Sequence, residues 1–312
     1  MRFIKDLREI NKKNIFIAGG KGTNLGEMLK IGIPVPLGFV ILASAFEKFL
    51  EETDINVEIN SKWKKINIKD IESVEENSEI LRDLILKAKM PKGIEREILD
   101  AFKKLKTKYV AVRSSATAED SKIDAWAGEL ETYLNTIKEN LIENIKKCWA
   151  SLFTPRALFY RAKRNLWDKK IAIGVVVQKM IQSEISGVCF TAHPVIKDKN
   201  QIVVEACWGL GEILVQGKVT PDSYVIGKSN RKILDANKNI QNKMIIGTKM
   251  GTKTISIPKS KRSRQKLSEE QIKELAEICI KVEKHYKYPQ DIEWVFERNK
   301  FYIVQTRPIT AL

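Results

Sequence analysis

Histidine is scarce in this chain of 312 residues: only His193 and His285 occur. Cysteine is scarce too. Cys148, Cys189, Cys207 and Cys279 form no CxxC pair, which argues against a zinc site and for buried free thiols in a reducing compartment. No apolar run approaches the length of a membrane span, and the opening MRFIKDLREI lacks the apolar stretch of a secretion signal. The expectation is a cytoplasmic enzyme or binding protein with no membrane partner. Internal repeats and low-complexity segments are absent as well.

Lysine, by contrast, is abundant, and the formal net charge is +16. Such an excess raises the possibility of a polyanion partner. The basic residues are interleaved with acids, however, and neither an aromatic stacking platform nor a helix-turn-helix signal accompanies them. No nucleic-acid partner is therefore expected. The densest basic run, PKSKRSRQK at 258–266, reads as a solvated loop. Length and a hydrophobic content of 43% suit two lobes, each with its own core.

Along the chain, NIFIAGGKGTNLGEMLK reads as a short extended piece and a glycine-rich loop, then a helix over about 23–30. SAFEKFLEE places Ser44 and Glu47 at capping-box spacing, predicting a helix start there. Residues 54–76 are polar and irregular in pattern, and helical periodicity follows at about 77–89 and 93–106. KYVAVRSSA is a β-branched strand, and 138–165 is helical with an interruption near Pro155. The second half is rich in short strands. LSEEQIKELAEICIKVEKHY is a capped amphipathic helix with Ile272, Leu275, Ala276, Cys279 and Val282 on one face.

The final hairpin, QDIEWVFERNKFYIVQTRP at 290–308, carries an unusual polar face. Strand parity puts Ile292, Trp294 and Phe296 on one side, with Asp291, Glu293 and Val295 on the other. A three-residue loop, Arg298-Asn299-Lys300, predicts Trp294 opposite Val304 and Phe296 opposite Tyr302. The same register sets Glu293 opposite Gln305 and Asp291 opposite Arg307. A two-residue loop would mix the faces. Two uses fit such a cluster: a solvated face with an Asp–Arg cross-strand pair, or hard oxygen ligands for Mg²⁺ beside a phosphate-binding arginine.

Other stretches suit phosphate. AGGKGTNLGEM fails both the P-loop and dinucleotide fingerprints, but it keeps Lys21 in a glycine loop ahead of a helix N-terminus. Arg113 closes a strand and is followed by Ser114 and Ser115, hydroxyls placed to meet an oxyanion. A salt bridge would occupy that arginine equally well. AGELET offers Gly128 and Thr132 in a loop able to cover phosphates, and VVVQKMI could lie against adenine or be an ordinary core strand.

Taken together, GGKGTNLGEM, VAVRSSATAED, AGELETYLN, GVCFTAHPV, WGLGEILVQGKVTPD and PQDIEWVFERNKFYIVQTRP resemble the ATP-binding domain of phosphoenolpyruvate synthases. Pyruvate phosphate dikinases and rifampin phosphotransferases share that domain. The resemblance implies an α+β, ATP-grasp fold with ATP between two lobes, here 1–170 and 171–312. It implies Lys21, Arg113 and Arg307 as phosphate-contacting and catalytic residues, with Gly128 and Thr132 in the covering loop. Gln178, Lys179 and Met180 would lie along adenine, and Glu212 at the ribose. Glu293 and Gln305 would hold Mg²⁺, assisted by Asp291. The implied partners are a phosphohistidine carrier domain or protein in trans, and a pyruvate-binding domain elsewhere. Neither His193 nor His285 sits in a carrier motif, so both are expected to be structural or solvated. Antibiotic phosphorylation and a purely regulatory nucleotide-binding module are the alternatives.

Overall fold

The computed structural model describes residues 2–116, 131–164, 166–167, 173–310 and 312. The chain divides into two compact units, one of residues 1–26 and 37–179, the other of residues 27–36 and 180–312. Both mix helix and sheet.

The first unit contains β1 (Ile4–Asp6), most of α1 (Ile15–Lys30), β2 (Gly38–Ile41), α2 (Ala43–Glu52), α3 (Ile55–Trp63), α4 (Ile71–Lys87) and α5 (Lys92–Lys104). It continues with β3 (Val110–Ala116), β4 (Thr132–Thr136), α6 (Lys138–Ala150), α7 (Pro155–Lys163) and β5 (Ile173–Lys179). Its five strands form an antiparallel sheet in the order β1-β2-β5-β3-β4. Alternation sorts the two faces. Phe39, Ile41, Val110, Val112, Ile173, Val175 and Val177 join the main hydrophobic core with Phe46, Phe49, Leu81, Ile98 and Trp149 from the helices. The opposite face carries Arg113, Ser115 and Gln178.

The second unit holds β6 (Ile185–Phe190), β7 (Gln201–Trp208), α8 (Glu212–Val215), β8 (Asp222–Gly227), β9 (Ile233–Asn237), β10 (Lys243–Gly247) and β11 (Thr252–Ser256). It ends with α9 (Lys259–Arg262), α10 (Glu269–Tyr286), β12 (Gln290–Glu297) and β13 (Lys300–Pro308). Six strands run β13-β12-β6-β7-β8-β9, and β10 pairs with β11 in a separate hairpin. Helix α10 starts as its sequence predicts: the Ser268 hydroxyl accepts from the Gln271 amide, and Gln271 returns the bond to the Ser268 amide. Its Ile272, Leu275, Ala276, Cys279 and Val282 are buried. All four cysteines are free and buried. Among the described residues, no helix is long and apolar enough to cross a membrane.

Several sequence expectations are corrected. Residues 15–18 are helical rather than extended, so α1 is longer than the predicted 23–30. Helix α2 begins at Ala43 with no side-chain cap, which places Ser44 inside the first turn and leaves the predicted capping box unformed. The polar stretch 54–76 contains α3 and the start of α4, and Ile59 and Val74 are buried there. Tertiary burial of a few apolar residues outweighs the weak local pattern. The run 258–266 is not simply a solvated loop: it includes α9, and Lys266 at its end is fully buried.

The hairpin loop is also shorter than predicted. Glu297 pairs with Lys300, leaving a two-residue turn of Arg298 and Asn299, both with positive φ, 50° and 57°. This is the combination that matches the right-handed twist of paired strands. Trp294 then faces Ile303, and Phe296 faces Phe301. Between Glu293 and Trp294 the register shifts by a β-bulge, with Val304 the extra residue. Beyond the bulge Glu293 pairs with Gln305 and Asp291 with Arg307, as predicted. The bulge corrects the parity that a two-residue turn would otherwise lose.

Candidate functional site

In the first unit the expected phosphate residues converge on one sheet face. Arg113 on β3 lies across from Thr132 on β4 and from Val176 on β5, while Gln178 lies across from Ala111. Partners directly opposite share a face, and so do residues two apart on one strand. Arg113, Ser115, Thr132 and Gln178 therefore project to the same side. Arg113 is 7% exposed and Gln178 is 2% exposed, whereas Thr132 is open to solvent. Gly128 lies outside the described residues. Lys179 ends β5, its amide bonded to the Leu37 carbonyl, and Met180 begins the second unit.

Helix α1 packs on that same face through its glycines. A Cβ at Gly22 would meet Val40 at 3.2 Å and Val176 at 3.6 Å, so the missing side chain allows the helix to lie close. At Gly19 the backbone leaves helical geometry, with φ 71° and ψ 173°. A Cβ there would sit 2.1 Å from the Ser115 carbonyl oxygen. Only glycine tolerates both the positive φ and the contact. The break starts a fresh helical segment at Gly20, and Lys21 stands in its first turn, where backbone amides favour an anion.

The two serines after Arg113 do not act as the sequence suggested. Ser114 points to the other face, where its hydroxyl donates to the Glu131 carbonyl at 2.8 Å. The Ser115 hydroxyl donates to the Ala18 carbonyl at 2.8 Å and accepts from the Gly22 amide at 3.1 Å. Both are committed to backbone.

In the second unit the polar hairpin face is built as expected. The Gln305 amide nitrogen donates to Glu293 Oε1 at 2.9 Å. Arg307 approaches Asp291 Oδ2 through Nε and Nη2, each at 2.8 Å. Burial pushes the Asp291 carboxyl above its ordinary value; Arg307 opposes this and nearby Glu293 reinforces it. Desolvation thus outweighs the salt bridge. A further carboxylate, missed from the sequence, joins the set. Glu293 pairs across β6 with Val188, and Val188 pairs with Glu205 on β7, which brings Glu205 onto the same face. Its carboxyl is raised too, by burial first and then by Asp291. A lone acid within the apolar run QIVVEACW was the only available signal.

Glu212, the expected ribose contact, opens α8. Its two carboxylate oxygens accept from Gln216 Nε2 and Thr252 Oγ1, each at 3.0 Å. The histidines have local partners: His193 Nδ1 accepts from the amides of Val195 and Ile196, and His285 Nε2 lies 3.3 Å from Glu27 Oε2.

The donor chemistry of the hairpin fits a hard divalent cation. Asp291, Glu293 and the Gln305 amide are oxygen donors, and burial leaves the negative charge of Asp291 poorly solvated. Among the described residues, no group of three or more His, Cys, Asp or Glu is gathered to hold a metal. Two cavities lie elsewhere. One, of about 850 Å³, is lined by residues between Glu52 and Lys92; the other, of about 870 Å³, lies at the C-terminal end of α10. Neither is lined by any of the expected site residues.

Comparison with known proteins agrees in one direction. The family model described as "Pyruvate phosphate dikinase, AMP/ATP-binding domain" matches residues 15–312. A probable phosphoenolpyruvate synthase of Methanocaldococcus jannaschii is 42% identical, over 100% of this chain and 27% of its own length. A probable phosphoenolpyruvate synthase of Archaeoglobus fulgidus is 45% identical over 98% of the chain and 41% of its length. The phosphoenolpyruvate synthase of Pyrococcus furiosus is 40% identical over all of the chain and 44% of its length. The chain thus spans less than half the length of these relatives. A D-alanine-D-alanine ligase structure from Helicobacter pylori overlaps 70% of the chain at 12% identity, with a TM-score of 0.34 that is too low to carry a fold argument.

Proposed function

Because the chain belongs to the pyruvate phosphate dikinase AMP/ATP-binding domain family, we propose that it binds Mg-ATP and phosphorylates a histidine on a separate domain or partner protein. The phosphoryl group would then pass to pyruvate on a further domain, giving phosphoenolpyruvate with AMP as the nucleotide product. In this reading the fold is an ATP-grasp. An N-terminal lobe, 1–170, would supply Lys21, Arg113, Gly128 and Thr132 to the nucleotide, and a C-terminal lobe, 171–312, would supply the hairpin.

The observation that carries the reading is the sorting of side chains by face. Within the first unit Arg113 and Gln178 share the sheet face on which the Lys21-bearing helix α1 is packed. Within the second, Asp291, Glu293, Gln305 and Arg307 share one face of the hairpin. Phosphoryl transfer needs positioning and neutralisation of charge more than covalent chemistry from the protein. Lys21, Arg113 and Arg307 would neutralise and orient the phosphates. Gln178, Lys179 and Met180 would bind adenine, and Glu212 the ribose. Glu293 and Gln305, with Asp291, would hold Mg²⁺, which when bound offsets phosphate charge. AMP as product makes the α–β phosphoanhydride the bond that is broken, so the histidine would receive a pyrophosphoryl group; water would then cleave its β–γ bond, releasing the γ-phosphate as orthophosphate and leaving the β-phosphoryl on the histidine. The relatives named phosphoenolpyruvate synthase favour pyruvate over an antibiotic as final acceptor.

The test mixes the chain, Mg²⁺ and ATP labelled in the β-phosphate with a separately prepared histidine carrier domain from such a relative. Label on the carrier histidine together with AMP release is the expected result. Tight ATP binding with neither label nor AMP would establish a nucleotide-binding module without transfer chemistry. Absence of ATP binding would overturn the reading altogether.

A further inference from the structure

In an uninterrupted α-helix the Gly22 amide would donate to the Ala18 carbonyl, four residues back. In α1 it does not. The Ser115 hydroxyl stands between them, accepting from the Gly22 amide at 3.1 Å and donating to the Ala18 carbonyl at 2.8 Å. A side chain from a strand 93 residues away in sequence thus bridges the two groups of one helical rung. Insertion of this kind is a recognised cause of a helix break, and the break is found at Gly19, inside the interrupted rung.

The placement has a consequence for two candidate phosphate residues. Ser115 lies two positions beyond Arg113 on β3, so both project from one sheet face. Lys21 lies immediately before the amide that Ser115 holds. Ser115 is fully buried, and the Ser115 carbonyl is the atom against which Gly19 is packed. One hydroxyl therefore ties the segment bearing Lys21 to the strand bearing Arg113.

We propose that Ser115 is a positioning residue for phosphate binding: its inserted hydroxyl keeps α1 broken at Gly19 and so fixes Lys21 in register with Arg113. The proposal rests on the nucleotide-binding reading above, in which both cations meet the phosphates of ATP. Removing the hydroxyl leaves the Gly22 amide and the Ala18 carbonyl free to bond directly. The helix can then close, satisfying both groups, while Lys21 loses the place that the break gives it. The cost should fall on ligand binding more than on folding.

The test is a double-mutant cycle on the whole chain, using Mg-ATP affinity by titration calorimetry and thermal melting in parallel. Ser115→Ala is expected to weaken ATP binding about tenfold, roughly what one hydrogen-bonded positioning contact supplies. In a Lys21→Ala background the same change should have almost no further effect, because there is no longer a lysine to position. A purely structural serine would give the same loss in both backgrounds. Ser115→Cys, with a weak donor and acceptor, should fall between wild type and Ala. If wild type binds ATP and Lys21→Ala weakens it, while Ser115→Ala matches wild type or its loss is unchanged by Lys21→Ala, the positioning role is overturned and the nucleotide site stands. If wild type fails to bind ATP, or Lys21→Ala binds as wild type does, the underlying reading falls and this inference falls with it.

Discussion

Lys266 places its ammonium 2.7 Å from Asp222 Oδ1, and neither side chain is exposed to solvent. The pair is fully satisfied. Asp222 also accepts from the Asn239 and Lys266 amides and from the Tyr224 hydroxyl, while Lys266 Nζ donates to the Asn239 carbonyl. Strand β8 is thereby pinned to the segment that runs from Asn239 to Lys266. Removal of one partner leaves an uncompensated buried charge, so Asp222→Ala is expected to destabilise by about 3–5 kcal/mol in urea unfolding. An apolar replacement of both residues should cost much less than the two single changes added together. Additive losses would show that the pair is not one network.

The two faces of the final hairpin should separate function from stability. Trp294 is 1% exposed, and Gly187 has no side chain where a Cβ would come within 2.7 Å of the indole. Trp294→Ala should therefore destabilise by about 3–5 kcal/mol. Glu293→Ala alters the opposite face, and should abolish Mg-dependent ATP turnover or binding with an unchanged circular dichroism spectrum. Unfolding of the Glu293 variant would instead mark that face as structural.

Asp291 makes a prediction in pH. Its folded pKa is raised above 3.8 by burial, despite Arg307. The folded protein therefore holds this proton more tightly than the unfolded chain does. Its favourable contribution is fully present below the unfolded value and is lost as pH rises through the folded one. Asp291→Asn removes the penalty of burying a charge, so without Mg²⁺ it should melt higher than wild type at neutral pH. The gain should shrink as pH falls through the folded value towards 3.8 and be gone below it. In the presence of Mg²⁺ the order should reverse, because wild type alone gains a ligand. A variant that melts lower at neutral pH without metal would mean the Arg307 pair dominates.

The turn at Arg298 and Asn299 holds two non-glycine residues at positive φ, 50° and 57°. Asn followed by Gly is the favoured pairing for such a turn, and a non-glycine residue there carries steric strain. Asn299→Gly is expected to stabilise by about 0.5–1 kcal/mol in denaturant unfolding, with no change in ATP affinity. A loss of stability would mean that the Asn299 side chain contributes to the turn in a way its backbone does not reveal.

Much of the site was legible because strand parity and residue type are local properties. Asp291, Glu293, Gln305 and Arg307 could be put on one face from alternation, and Glu293 opposite Gln305 from loop length, even though the assumed loop was wrong. The loop was misjudged because a bulge cannot be read from periodicity. Phe301 and Ile303 face the core rather than Tyr302 and Val304, and only the extra residue Val304 returns Thr306 to the buried side. Glu205 escaped notice because it reaches the cluster across β6, a pairing between segments distant in sequence.

By itself the sequence determined which segments carry cations, acids and glycines, which faces of α10 and β12 are apolar, and which family pattern they form. Those follow from the periods of helix and strand and from side-chain chemistry. Tertiary structure alone decided that Lys266 is buried against Asp222, that Glu205 stands in line with Glu293, and that Ser115 enters the ladder of α1. Each depends on bringing distant parts of the chain within hydrogen-bonding or Coulombic range. No local periodicity encodes that distance; it is set by sheet register and by how closely glycine lets two backbones approach.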